Sequence, residues 1–341
     1  MSSLIEKRSH QDERDSYHNL KLIGKGGEGS VYLVERSSDK KFLACKVLCN
    51  QVDGTPIEVR MLRDILPAHD KIIRLVEFIQ SPLDTQLYFE YCPGGDLESL
   101  ISSYHGRGNP FPEAFLWHVY VQLAEALAFI HYGYNAHTED TDSHWLSVIH
   151  RDIKPGNVLL RPNARWSLEN GPYLYSTIVL ADFGLAISAQ TPNRAPHSNY
   201  LVGTSTWQPP EIPFASPKGD VWALGAVIHA LATGYPPIAV MPLHWAQTEE
   251  NWERWTKEAR AREISSVRGH YSSAMESYMG MALKRCLSER ATSYDLFIGL
   301  KQGLIDTKLQ VFSSSESTAS TKLATNNYDS VFLSDMIALV R

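Results

Sequence analysis

The run His150-Arg151-Asp152-Ile153-Lys154-Pro155-Gly156-Asn157, followed downstream by Asp182-Phe183-Gly184, sets a carboxylate, an ammonium, an amide and a second carboxylate in one order along the chain. A carboxylate such as Asp152 can take the proton of an attacking hydroxyl. Asn157 offers a neutral oxygen and Asp182 a charged one, the hard donors that Mg²⁺ prefers while it keeps waters and substrate phosphates as further ligands. Lys154 can neutralise charge that moves during transfer. Together these residue types fit phosphoryl transfer from ATP. The bland alternative is a charged surface loop and an unrelated Asp-Phe-Gly turn, and the joint order and spacing argue against it.

Two further groups belong to the same chemistry. Gly24-Lys25-Gly26-Gly27-Glu28-Gly29-Ser30-Val31 is GxGxxG with a Val two positions on, a backbone that can fold closely over phosphates because no side chains intervene. A dinucleotide-binding turn would need a helix directly after the last glycine. Here Val31-Tyr32-Leu33-Val34 continues as a strand, which predicts a strand–turn–strand hairpin. Lys46 lies in Leu43-Ala44-Cys45-Lys46-Val47, where alternation puts Ala44 and Lys46 on one strand face. An inward lysine wants an anion, and Glu58 is the candidate. Taken alone, the segment reads more simply as an edge-strand lysine reaching solvent.

The elements that must hold these groups fall into two kinds. From Tyr17 to Tyr91 the pattern is mostly strand-like, interrupted by one helical stripe of Ile57, Met61, Leu62 and Ile65 between Pro56 and Leu66. After Pro93-Gly94-Gly95 the character turns helical, and Phe115, Val119, Leu123, Ala126, Leu127 and Ile130 mark a long amphipathic helix. Val221 to Thr233 is too short for a bilayer, which takes about 20 residues, and reads as a buried core helix. The expectation is an α+β fold with a small antiparallel sheet and one helix in an N-lobe (17–91), and a larger, mostly helical C-lobe (92–304). Residues 1–16 read as a disordered extension. Residues 305–341 read as a tail with a Ser/Thr-rich run at 313–321, and Val331, Phe332, Met336, Ile337 and Val340 suit a short amphipathic helix. Stretches 133–147 and 161–176 read as surface loops.

Composition narrows the functional classes. Hydrophobic residues make up 43% and charged residues 21%, as in ordinary globular proteins. A formal charge of −6 gives no basic excess for a nucleic-acid backbone. The polar N-terminus lacks a signal-peptide core. The four cysteines, Cys45, Cys49, Cys92 and Cys286, show no metal-type pairing. A reducing, intracellular setting follows, cytoplasm or nucleus, without membrane insertion. The spacings of His131, His137, His144 and His150 are not those of a zinc site, and these read as surface histidines.

On these motifs the chain resembles the catalytic domain of eukaryotic Ser/Thr protein kinases, from about Tyr17 to about Leu304. The resemblance implies the bilobal kinase fold, ATP as phosphoryl donor, Mg²⁺ (or Mn²⁺) as its metal and Ser/Thr-bearing proteins as substrates. Gly24, Gly26, Gly29 and Val31 would cover the nucleotide, with Ala44 and Leu159 packing on adenine. Lys46 and Glu58 would form the family's ion pair on a regulatory helix. Phe89 resembles the gatekeeper and Glu90 to Cys92 the hinge that bonds adenine. Asp152 would be the base, with Lys154 and Thr204 beside it, and Asn157 and Asp182 would hold the metal. Gly203-Thr204-Ser205-Thr206-Trp207-Gln208-Pro209-Pro210-Glu211 resembles the end of the activation segment, Asp220 to Gly225 the start of the buried central helix, and Arg290 the late arginine that pairs with Glu211. Leu62, Leu75, His150 and Phe183 would stack into an apolar spine, or simply be core residues.

The family also implies that Arg151 can bind a phosphate on the activation segment. Ser198 and Tyr200 are the leading acceptors, ahead of Thr191 and Ser188, although such residues are common in any loop. The sequence departs from the pattern in several places. Only twelve positions separate Lys46 from Glu58, which suggests a shortened regulatory helix. Pro209 and Trp207 replace the usual Ala and Tyr, and the stretch around Trp245, Trp252 and Trp255 matches no family pattern. Ala230 stands where kinases that prefer basic substrates often carry an acid. Alternatives to an active protein kinase are a pseudokinase scaffold that binds nucleotide and partners, and a small-molecule phosphotransferase.

Overall fold

The computed structural model describes residues 17–304 apart from 28, 49–53, 82–83, 107–109, 136–137, 163–175, 189–202, 212–214, 239–263, 265 and 268. The two terminal segments, Cys49, His137, Trp245, Trp252, Trp255, Thr191, Ser198 and Tyr200 lie outside the described residues.

Alternating, β-branched and aromatic residues build the N-terminal sheet. Its strands are β1 (Tyr17–Lys25), β2 (Gly29–Arg36), β3 (Phe42–Leu48), β4 (Leu75–Gln80) and β5 (Thr85–Glu90), all antiparallel in the order β1-β2-β3-β5-β4. Period-two alternation sends successive side chains to opposite faces. Leu43 and Cys45 join Val34, Ile79 and Tyr88 in a small cluster on one side. Ala44 and Leu48 face the other side and meet the main core beside Leu75, Phe78, Leu87 and Phe89. Lys46 shares that inner face and is buried.

The expected helix between Pro56 and Leu66 departs from regular form. A single α-turn, α1 (Ile57–Arg60), runs directly into a π-helical turn, Met61–Ile65, and stops at Leu66, whose backbone is extended ahead of Pro67. The wider turn shifts the stripe that a 3.6-residue period predicts. Met61 is fully buried, while Leu62 is half-buried at the edge of the core.

The C-lobe holds α2 (Leu97–His105), α3 (Glu113–Tyr132), α4 (Pro217–Thr233), α5 (Ser273–Ala282) and α6, residues 293–304. Asp96, Ser216 and Ser272 cap α2, α4 and α5 with their side-chain oxygens, each satisfying an amide that the helix leaves unpaired. Gly133 and Gly234 end α3 and α4 in the left-handed conformation that glycine adopts without penalty. Two short antiparallel pairs lie between α3 and α4. One is β6 (Val148–Ile149) with β9 (Ile187–Ser188), the other β7 (Val158–Arg161) with β8 (Thr177–Leu180). This is the bilobal fold expected from the sequence, and one apolar core runs through both lobes.

Three expectations need correction. The helix α3 is not half-exposed: only Glu113, Ala114, Val121, Glu125 and Tyr132 escape full burial, because β8, α4 and α5 pack around it. His131 and His150 are buried, not on the surface, and each makes specific hydrogen bonds; His144 is exposed as expected. Ser188 is buried in β9, which removes it as an acceptor of phosphate on this surface. The apolar run from Val221 lies in the buried α4 as read, and among the described residues no helix is long and apolar enough to cross a membrane.

Candidate active site

The β7–β8 hairpin brings two of the predicted metal ligands side by side. Asn157 immediately precedes β7 and Asp182 follows β8 by one residue, and pairing of Val158 with Leu180 closes that end of the hairpin. The Ala181 amide donates to the Asn157 carbonyl at 2.9 Å. Asp182 sits at φ 67°, a left-handed conformation that few non-glycine residues adopt outside functional sites.

The segment before β7 is fixed from below by Asp220, at the start of α4. Its buried carboxylate accepts the His150 amide at 2.7 Å and the Arg151 amide at 2.9 Å. The His131 ring bonds the same carboxylate at 3.0 Å and Ser293 Oγ at 2.8 Å. Sequence reasoning saw Asp220 only as a helix start and missed its role in holding the loop, assigned His131 to the surface, and missed Ser293 altogether. A lone acid just before an apolar run was the available signal.

Held this way, Asp152 has both carboxylate oxygens engaged. Oδ1 accepts from the Thr204 amide at 2.8 Å and the Thr204 hydroxyl at 3.0 Å. Oδ2 lies 3.0 Å from Asn157 Nδ2 and 2.8 Å from Lys154 Nζ, which also donates to Thr204 Oγ1 at 2.9 Å. Asp152, Lys154, Asn157 and Thr204 therefore form one connected cluster. Gly203, at φ 95°, lets the Thr204 segment approach: a methyl group there would lie 2.5 Å from the Arg151 carbonyl.

Lys46 bridges the lobes. Its ammonium lies 3.0 Å from Glu58 Oε2 and 2.7 Å from Asp182 Oδ1. One cation shared by two carboxylates has unequal effects. Burial pushes Asp182 upward, but Lys46 and its hydrogen bond outweigh burial and hold this carboxyl below the usual range. Burial dominates at Glu58 and raises it, with the Asp182 charge adding to the effect. Glu58 Oε1 also accepts the Phe183 amide at 3.1 Å. Of the four proposed spine residues, His150 and Phe183 meet edge-on with ring centroids 4.7 Å apart, Leu75 is buried in the same core, and Leu62 packs at its edge. The His150 imidazole is held below its usual pKa chiefly by burial, which favours the neutral ring.

On the nucleotide side, the Gly26 amide closes the β1–β2 turn on the Gly29 carbonyl at 2.9 Å. Gly29 is obligatory on steric grounds, because a β-carbon there would run into the Val47 carbonyl of β3. No atom lies within 4 Å of a β-carbon placed on Gly26, and one on Gly24 would meet only Val31. Val31 pairs with Lys46, and Ala44 lies two residues before it on the same face. The Glu90 carboxylate clamps Arg161 at 2.9 Å and the Arg74 amide at 3.0 Å, so any contact with a nucleotide must come from its backbone. Phe89 is buried at the end of β5. The Cys92 thiol is pushed up to about 12 by burial, a packing thiol and not a thiolate. Hydrogen bonds between Gly94 and Gly95 and the backbone of Leu160 dock the segment after Cys92 onto β7, beside half-buried Leu159.

The donor set suits a nucleotide-borne metal. Asn157 spends its Nδ2 on Asp152, at 2.8 and 3.0 Å, which leaves its Oδ1 as the oxygen available to a cation next to Asp182. Asn157 and Asp182 would hold the cation with two oxygens, leaving room for phosphates and waters, the usual manner in which Mg²⁺ binds. Among the described residues no group of three or more His, Cys, Asp or Glu could hold a metal ion by itself.

Arg151 adopts φ 70° and donates through Nε to the Leu185 carbonyl at 2.7 Å. Farther along, Arg290 grips Glu211 through two bonds of 2.6 and 2.8 Å, and its guanidinium lies over the Trp222 ring at 5.1 Å. The pairing anticipated from the sequence is present.

The family model for the protein kinase domain matches residues 17–298, and the chain belongs to this family. Its relatives include the G2-specific protein kinase fin1 of Schizosaccharomyces pombe, 35% identical over 233 residues, covering 63% of this chain and 30% of that one. A probable serine/threonine-protein kinase, nek2 of Dictyostelium discoideum, is 30% identical over 65% of this chain and 50% of its own. The G2-specific protein kinase nimA of Emericella nidulans is 29% identical over 66% of this chain and 33% of its own. The matched region thus spans half or less of these relatives' length.

Proposed function

We propose that this chain transfers the γ-phosphoryl group of ATP to Ser or Thr hydroxyls of protein substrates, with Asp152 as base and Mg²⁺, or Mn²⁺ in its place, held by Asn157 and Asp182. The observation that carries this reading is the shared contact of Lys154 and Thr204 with the Asp152 carboxylate, at 2.8 and 3.0 Å, beside an Asp182 that Lys46 keeps ionised. A hydroxyl brought to Asp152 meets an acceptor for its proton, and Lys154 stands ready for the charge of the departing phosphoryl group. Lys46, tied to Glu58, would steady the remaining phosphates, under the glycines at 24, 26 and 29 and beside Val31. Ala44, Leu159 and the backbone of Glu90 and Cys92 would enclose adenine.

The catalytic unit would run from Tyr17 to Leu304, the N-lobe ending at Tyr91. Arg151 would receive a phosphate on the segment that holds Ser198 and Tyr200, and regulatory protein partners would act through that segment or α1. The buried, unpaired Cys45 and Cys92 support a reducing, intracellular setting. A scaffold without transfer activity drew its support from the short α1 and from the inserted stretches that match no family pattern; the Lys46–Glu58 contact that α1 must supply is formed.

The test is incubation with labelled ATP, Mg²⁺ and a generic protein acceptor, followed by phosphoamino-acid analysis. Label on Ser or Thr supports the proposal. Label on an added aminoglycoside instead of protein selects a small-molecule phosphotransferase, and none on either selects the scaffold.

A further inference from the structure

A cleft of about 1710 Å³ opens between the chain from Leu62 to Leu75, the second half of α3 and the stretch from Gly133 to Trp145. Of the residues placed around the nucleotide or Asp152, only Glu90 lines it, and that carboxylate is already engaged by Arg161 and the Arg74 amide. Phosphoryl transfer therefore leaves the cleft without a role. One wall is aromatic: His69 stacks on Phe129 with ring centroids 4.2 Å apart, and Phe129 meets Trp145 at 5.1 Å. Burial drives the His69 pKa down to about 4, so at neutral pH its ring is uncharged and the wall is apolar. Along the opposite bank Leu62 is half-buried, Leu66 is buried, and Pro67 and Ala68 are exposed. A concave apolar strip with a charged rim is the usual form of an interaction surface.

The chain itself supplies an occupant of matching shape. Phe332, Met336, Ile337 and Val340 recur at i, i+4, i+5 and i+8, one apolar stripe of a helix. Ten helical residues measure about 15 Å by 10 Å, roughly 1200 Å³, which the cleft can hold. The exit point of the chain also fits. Lys301, in the last turn of α6, pairs with Glu139 Oε1 at 2.8 Å, next to Asp140 on the rim of the cleft. Inside the cleft, burial raises the Glu125 carboxyl, while Lys71 and Lys301 oppose that rise from the two sides. Residues 305–330 join α6 to the stripe, and a coil of that length reaches roughly 30 Å. We propose that residues 330–341 dock in this cleft as a helix, laid stripe-inward between the chain from Leu66 to Arg74 and α3.

The test uses the full chain. A carbodiimide joins an amine to a carboxylate in contact with it, and mass spectrometry of the monomer should find Lys71, which lines the cleft, joined to Asp329 or Asp335. Hydrogen exchange of the parent is compared with that of Phe332→Asp/Met336→Asp and of Ala68→Arg, which fills the cleft from an exposed position. Amides of 66–74 and 129–145 should exchange about tenfold faster in both variants. That factor corresponds to a tethered segment at about 1 mM effective concentration with about 0.1 mM affinity. Combining the two sets of substitutions should add nothing further, since each removes the same contact. Exchange unchanged in Phe332→Asp/Met336→Asp overturns the proposal, whether or not a crosslink forms. A Lys71 crosslink found only between two copies overturns it in favour of a dimer. Neither readout depends on phosphoryl transfer, so failure of the catalytic reading leaves this result standing.

Discussion

Lys46 Nζ meets Glu58 Oε2 at 3.0 Å although only twelve positions separate the two residues. A single α-turn followed by a π-turn suffices, because Glu58 needs only to point inward from the first turn while Val59 and Met61 bury themselves beside it. Lys46 is also the one cation seen between Glu58 and Asp182 among the described residues. Lys46→Met should therefore lower kcat/KM about 10²- to 10³-fold, the scale of a lost charge-stabilising donor. Steady-state kinetics with labelled ATP checks this, and a loss under tenfold would contradict it.

The Arg290–Glu211 pair should matter for stability more than for chemistry. The Arg290 side chain is fully buried and Glu211 is 16% exposed. Breaking such a pair by removing one partner costs about 3–5 kcal/mol, since the other charge is stranded. Arg290→Met should show that loss in urea unfolding, and adding Glu211→Gln should recover part of it.

The chemistry was more legible in the sequence than the scaffold that aims it. Asp152, Asn157 and Asp182 stand out by order and residue type, and the strand pattern pointed to a small antiparallel sheet but not to its fourth strand, β4. Local periodicity could not reveal what packs on a helix from elsewhere. Hence α3 was expected to be half-exposed, and His131 was assigned to the surface although Asp220 and Ser293, each far away in the chain, bury and bond it. The π-turn at Met61 and the cleft beside α3 were equally invisible, since both depend on tertiary contacts that no local spacing encodes.

His118 predicts a pH dependence of stability. Burial drives its pKa down to about 4, while Ser176 and Gln122 bond the ring. The unfolded chain should take up this proton below about pH 6.5, whereas the folded chain resists until about 4. The group's stabilising contribution is therefore full above 6.5 and is lost as the pH falls toward 4. On the order of 3 kcal/mol is at stake. The Tm of the parent should fall across that window, and His118→Gln should flatten the decline.

Gly29 and Gly24 should differ sharply. A methyl group on Gly29 collides with the Val47 carbonyl, a backbone atom that cannot turn aside, while one on Gly24 meets Val31 at an ordinary 3.6 Å. Gly29→Ala should destabilise by about 1–3 kcal/mol as the β2–β3 pairing shifts. Gly24→Ala should stay within about 0.5 kcal/mol. Thermal unfolding of both variants decides.

Phosphoryl transfer by the parent chain beside Asp152→Asn tests the central claim most directly, with calorimetry of Mg²⁺–ATP binding run on both. Transfer by the parent, at least about 10²-fold slower in the variant, together with retained nucleotide binding, is the expected result. Equal transfer by both chains would contradict a catalytic role for Asp152.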